Sequence, residues 1–179
     1  MENQNNTPDD SLDWGQERPW VRPILSENPN YELWVCRPLK LKFKKLSENA
    51  KIPTKAHPDD ACYDVYSPVD IVLDPRTITK FNLDFAVACP RHTKLCFYSR
   101  SGLASKGIFL SNSVGIVDEN YRGCCAVALY NATNREYQIS KGDRILQCAL
   151  EFVQPFVIEE ADELDETDRG TGGFGSSGK

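Results

Sequence analysis

Long hydrophobic runs are missing from this sequence. No stretch approaches the ~20 apolar residues that a membrane-spanning helix needs, so no membrane partner is expected. Histidine is scarce: His57 and His92 are the only two, and neither stands at zinc-ligand spacing from a cysteine. The seven cysteines contain no CxxC pair, and their odd number points to reduced thiols in a cytoplasmic or nuclear compartment. Excess positive charge is also absent. With 21 Lys and Arg against 26 Asp and Glu, the net charge of -5 argues against direct nucleic-acid binding, while a small anion could still be held by a few local cations. The opening MENQNNTPDD has neither the apolar core of a secretory signal nor the arginines of a transit peptide.

What is present is a chain of strand-like segments. Hydrophobic content of 40% and charged content of 26% suit a domain with a real core. LKFKKL alternates apolar and charged residues, the period-two pattern of a half-buried strand. DIVLDP, TITKFNLDFAVAC, TKLCFYS, IFLSNSVGIV, CCAVALYN and RILQCALEFVQPFV follow, separated by turn-forming clusters. SGLASKG could form a helical turn or two, and nothing else reads as a long helix. The expected fold class is therefore all-β, a sandwich or barrel. Three parts are expected: an N-terminal extension over 1–38 holding Trp14, Trp20 and Trp34, a β domain over 39–158, and an acidic linker with a glycine-rich arm over 159–179. The extension reads either as a floppy segment or as one that packs its tryptophans on the domain or a partner.

Five stretches carry candidate chemistry. In YSRSGLASKG, Arg100, Ser101 and Gly102 could converge a guanidinium, a hydroxyl and main-chain N–H groups on one anion, or form an ordinary turn. In NSVGIVDENYRG, the segment around Gly115 could offer main-chain groups to the edge of a planar base. Asp118 there is either a carboxylate that activates water or a turn cap. Gln147 in SKGDRILQC needs a partner for its amide, structural or ligand. Asp64 in DACYDVYSPVD would pair with an arginine or lie near a metal. The closing RGTGGFGSSGK is a disordered tail or a segment that something docks and orders.

In order, ACYDVYS, SRSGLA, VGIVDENYRG, KGDRILQ and RGTGGFGSSG resemble the five motifs of the trimeric deoxyuridine triphosphatase (dUTPase) family, and the resemblance spans about residues 40 to 179. It implies a jelly-roll homotrimer whose active sites are shared between subunits, with a mobile C-terminal arm. The implied reaction is cleavage of dUTP to dUMP and pyrophosphate with Mg²⁺, limiting uracil incorporation into DNA and supplying dUMP for thymidylate synthesis. By resemblance Asp118 is the general base. Asn112, Gly115, Ile116 and Val117 meet uracil, and Tyr121 packs under the deoxyribose. Arg100, Ser101, Gly102 and Gln147 hold phosphate, and Asp64 meets Mg²⁺ through water. Arg169 meets the γ-phosphate, Phe174 stacks on uracil, and Gly175 and Ser176 wrap the phosphates.

The sequence departs from the family pattern at Cys62, Ser99, Asn120 and Ser176-Ser177, where glycine, proline, aspartate and serine-threonine are usual. Two rivals remain. A dCTP deaminase on the same fold needs a glutamate where VALYN places Ala128. A regulatory or binding trimer switched by nucleotide would use the arm as its switch and the N-terminal extension as its partner surface.

Overall fold

The computed structural model describes residues 20–25, 32–36 and 39–173. Thirteen strands and one four-residue helix are described, which makes the chain all-β as expected. In the N-terminal part, β1 (Trp20–Leu25) and β2 (Glu32–Cys36) form an antiparallel hairpin. WVRPIL and ELWVC are short and rich in aromatic and β-branched residues, a strand signal that the irregular surroundings hide. No hairpin was expected there.

The chain continues with β3 (Lys42–Lys45), β4 (Tyr63–Tyr66), β5 (Ile71–Leu73), β6 (Ile78–Asn82), β7 (Phe85–Ala88) and β8 (Thr93–Ser99). It continues through α1 (Ser101–Ala104), β9 (Ile108–Leu110), β10 (Val114–Val117), β11 (Ala126–Asn131), β12 (Tyr137–Ile139) and β13 (Arg144–Phe152). The largest sheet has the order β10-β8-β13-β4, a second has β6-β11-β9, and the pairs β12-β5 and β3-β7 complete the layers. Every pairing is antiparallel. The long TITKFNLDFAVAC segment is cut into two strands at Leu83-Asp84, where Asp84 takes φ 57°. Aspartate tolerates that left-handed turn better than most residues.

Along β8, Leu95 and Phe97 join one buried cluster with Ile145, Leu146 and Val65 of the same sheet and with Phe85 and Leu129 from other strands. Burial of such side chains contributes roughly 1.5–3 kcal/mol each. Three polar residues are buried among the described residues: Ser67, Thr93 and Asn131. Asn131 donates from Nδ2 to the carbonyls of Leu73 (2.9 Å) and Arg135 (2.8 Å) and accepts at Oδ1 from Thr133. Its amide is thus satisfied, and it ties β5 to β11.

Candidate active site

Asp64 is part of β4, an edge strand paired with β13. Its backbone also bridges Thr54, with Asp64 N donating to Thr54 O at 2.7 Å. Directly across the ladder from Asp64 stands Gln147. Beyond β13, strand β8 ends at Ser99 and delivers Arg100 to the start of α1. These elements enclose a cleft of about 400 Å³ lined by Asp64, Arg100, Ser101, Gly102 and Gln147. Five of the expected residues therefore meet in one place.

The cleft is cross-braced. Asp64 is only 14% exposed, and its Oδ1 lies 3.0 Å from Arg100 Nε. Its Oδ2 lies 3.2 Å from Arg144 Nη1, and Arg100 Nη1 in turn donates to Arg144 O at 2.9 Å. Gln147 Nε2 donates to Ser99 O at 3.0 Å, which gives its partly buried amide a structural partner. Arg144 was missed in the sequence, although KGDRILQ places a cation three residues before Gln147, at the start of the same strand. The departure at Ser99 has a local use: its Oγ accepts the Leu110 N–H at 2.9 Å, which a proline could not do.

The second group lies on β10 and the turn after it. Gly115 pairs with Phe97, and a Cβ added to Gly115 would sit 3.3 Å from Phe97 Cβ, so a larger residue fits only if Phe97 gives way slightly. Ile116, on the opposite face, is 57% exposed, and Val117 is buried. Asn112 O accepts from Val114 N at 2.6 Å across Ser113, whose φ is 61°. Asp118 is exposed, and its carbonyl accepts from Tyr121 N at 3.1 Å. The Tyr121 hydroxyl donates to Cys124 O at 3.0 Å, and a Cβ on Gly123 would collide with the tyrosine ring. The turn is clamped by Arg122, which donates to the carbonyls of Glu119 and Tyr121.

The ladder fixes how far apart the two groups are. Val114, Tyr98, Gln147 and Asp64 form one row across four strands. At about 4.8 Å per strand, the backbone of Val114 lies about 14 Å from that of Asp64. Asp118 is four residues further along, so it stands roughly 20 Å from Asp64 within one chain. Between them the Tyr98 hydroxyl donates to the Glu151 carboxylate, which Lys94 also approaches at 3.4 Å. That bond pushes the Tyr98 phenol above its ordinary range and holds Glu151 below the usual carboxylate range.

Arg169 joins neither group: its Nε donates to Gly172 O at 2.9 Å within the arm. Phe174, Gly175 and Ser176 lie outside the described residues. Asp60 and Asp64 supply hard oxygen donors to the cleft wall, and no cluster of three or more His, Cys, Asp or Glu that could hold a metal exists among the described residues. That donor set fits a Mg²⁺ carried mainly by phosphate oxygens and water, and does not form an all-protein cage. No helix among the described residues is long and apolar enough to cross a membrane.

A sequence model of the dUTPase family matches residues 48–178. The chain is 40% identical over 165 residues to the human mitochondrial deoxyuridine 5'-triphosphate nucleotidohydrolase, covering 92% of this chain and 64% of that one. The Rhodococcus erythropolis nucleotidohydrolase is 40% identical over 142 residues, covering 78% of this chain and 87% of its own length. Among solved structures, a mutant dUTPase of Staphylococcus bacteriophage 80alpha with dUpNHpp superposes with a TM-score of 0.73 at 27% identity, covering 78% of this chain and 99% of that one. A mutant phage phi11 dUTPase, at 25% identity and a TM-score of 0.64 over 70% of this chain and 98% of that one, is described as coordinating a structural Mg(II) ion. With its motifs in order, its jelly-roll strands in place and these relatives beside it, the chain belongs to the dUTPase family, the nucleotidohydrolases of deoxyuridine 5'-triphosphate.

Proposed function

We propose that this chain hydrolyses dUTP to dUMP and pyrophosphate in sites that copies of it build together as a homotrimer. The observation that carries the shared site is the separation within one chain. A base that activates water must stand one water molecule from the α-phosphorus. Asp118 stands roughly 20 Å from Asp64 by strand spacing and is not among the residues that line the cleft, which favours service to the cleft of another copy over its own. The exposed Ile116 on the outer face of the β10-β8-β13-β4 sheet supplies apolar surface for such a contact.

In this reading Arg100, Ser101, Gly102 and Gln147 hold the phosphates, helped by first-turn N–H groups that a helix leaves unsatisfied. Asp118 takes a proton from water as the water oxygen bonds to the α-phosphorus. The bond from that phosphorus to the bridging oxygen breaks, and pyrophosphate leaves. Mg²⁺, met by Asp64 through water, would neutralise charge on the triphosphate. Main chain at Gly115, Ile116 and Val117, with Asn112, reads uracil, and Tyr121 packs under the deoxyribose and leaves no room for a 2′-hydroxyl. Arg169, Phe174, Gly175 and Ser176 close over the site and exclude bulk water.

The division into an extension (1–38), a β domain (39–158) and an arm (159–179) belongs to this proposal. It is supported by the run of domain strands from Lys42 to Phe152 and by the exposed chain that follows. So does a cytoplasmic or nuclear location, supported by six free cysteines among the described residues. Pyrophosphate release compared across dUTP, dTTP, dCTP and UTP tests the reaction. Selective turnover of dUTP is expected, and equal turnover of dCTP would overturn it.

A further inference from the structure

Asp118 sits where the sheet ladders stop. The β10–β8 pairing ends at Val117 with Leu95, and β11 begins only at Ala126, so residues 118–125 connect the two strands. The far end of this connection is secured by Cys125, whose N–H donates to Phe85 O and whose carbonyl accepts from Leu83 N, both at 2.8 Å. The near end, with Asp118, is held differently. The bonds from Tyr121 N to Asp118 O, from the Tyr121 hydroxyl to Cys124 O and from Arg122 to the carbonyls of Glu119 and Tyr121 all stay inside the turn. They fix its shape and leave its place to something else. The Asp118 carboxylate does not supply that tie, for it forms no ion pair among the described residues.

Glu119 does supply it. The residue is partly buried between the exposed Asp118 and Asn120, and its Oε2 accepts the His92 N–H at 2.7 Å across 27 positions of sequence. Such a length is expected where one partner is ionised. The donor is firmly placed. His92 closes the turn between β7 and β8 with φ 58°, and its carbonyl accepts from Val153 N at 2.8 Å. Thr93 beside it pairs with Phe152 and donates from Oγ1 to Pro90 O at 2.7 Å. The N–H that holds Glu119 is therefore fixed by the β8–β13 ladder, which also contains Gln147.

We propose that Glu119 is a positioning residue for the general base: by hooking its turn onto the β7–β8 corner, it sets where Asp118 stands relative to the attacking water. This deepens the reading of Asp118 given under the proposed function and rests on it. A base must lie within hydrogen-bond reach of the water whose proton it takes, and a misplacement of about 1 Å can cost ~10²-fold in rate. Asp118 and Glu119 share one planar peptide unit, so a shift of either Cα moves the other. Reach matters here more than charge. An amide oxygen at the position of Oε2 accepts the same N–H, whereas a carboxylate shortened by one methylene stops about 1.5 Å away.

Steady-state turnover of dUTP and calorimetric affinity for a nonhydrolysable dUTP analogue, both measured on the full chain, test it. Glu119→Ala and Glu119→Asp should each lower kcat about 10–100-fold, with analogue affinity within about twofold of wild type. Glu119→Gln should recover most of that loss, since its Oε1 reaches the same N–H. In an Asp118→Asn chain, Glu119→Ala should take almost nothing further from kcat, because a positioning residue has no effect once the group it places is gone. The role is overturned by wild-type kcat in Glu119→Ala, by activity kept in Glu119→Asp and lost in Glu119→Gln, or by a fully additive loss in the double variant. Should Glu119→Ala fail to fold, the Asp and Gln variants decide between reach and charge by themselves. If wild-type protein releases no pyrophosphate from dUTP, or Asp118→Asn keeps wild-type kcat, the underlying reading falls and this one with it. If both behave as expected while Glu119→Ala changes nothing, only the positioning role falls.

Discussion

The Asp64 cleft and the β10 segment with its turn are built on opposite plans. At the cleft, charges are already paired: Asp64 holds Arg100 and Arg144, and Gln147 is tied to Ser99. At β10, the main chain is held firmly by Phe97 and Arg122, yet Asp118 and Ile116 stand open and Tyr121 is 45% exposed. Two arginines without a counter-charge would repel each other, and Asp64 offsets part of that. In the function proposed above, the first plan suits a polyanionic ligand and the second a surface completed by another copy.

That contrast predicts that changes to the exposed side chains of β10 and its turn cost turnover alone, while changes to the cleft cost stability as well. The largest effect belongs to Asp118→Asn, which should lower kcat about 10²–10⁴-fold with analogue affinity and melting temperature nearly unchanged. A large fall in thermal stability there would erase the distinction. Asp64→Ala should destabilise the fold by about 1–3 kcal/mol in denaturant melts, because it leaves the partly buried Arg100 without its charged partner. Unaltered melting would mean the cleft is no more braced than the hairpin. Gly115→Ala brings a methyl to 3.3 Å from Phe97 Cβ and should cost about 1–3 kcal/mol in denaturant melts if Phe97 is held in place; unaltered melting would show that the ring gives way.

Smaller effects sharpen the picture. Burial pushes the thiols of Cys125 and Cys148 up to about 12 from an ordinary 9.0. Below pH 9 both folded and unfolded thiols keep their protons, so stability is complete. As pH rises from 9 towards 12, only the unfolded thiols ionise, and stability should decline in alkaline melts. Native thiol labelling should accordingly reach the partly exposed Cys62 and Cys124 before these two. The smallest change is Ser113→Gly, which removes a left-handed serine and should alter stability by about 1 kcal/mol or less while raising the KM for dUTP as the turn before β10 loosens.

The strand segments were legible because each carries a run of apolar and β-branched residues between turn formers; LKFKKL and TKLCFYS became β3 and β8. Shorter elements were not. YDVY contains an aspartate and YQI only three residues, so neither shows a usable period, yet pairing with β13 and β5 makes them β4 and β12. In the site, residue types pointed to Arg100, Gln147 and Asp118, whose chemistry is written in their side chains. Arg144 escaped notice because an arginine after KGD reads as surface charge until the fold sets it beside Asp64.

The amino-acid order by itself determined the all-β class and the five ordered stretches, because both depend on local periodicity and on chemistry carried within a few residues. Only the tertiary structure decided that Asp64, Arg100, Arg144 and Gln147 share one cleft while Asp118 stands three strands away. Strand register is a long-range property. It is set by which faces bury together, and no single segment contains that information.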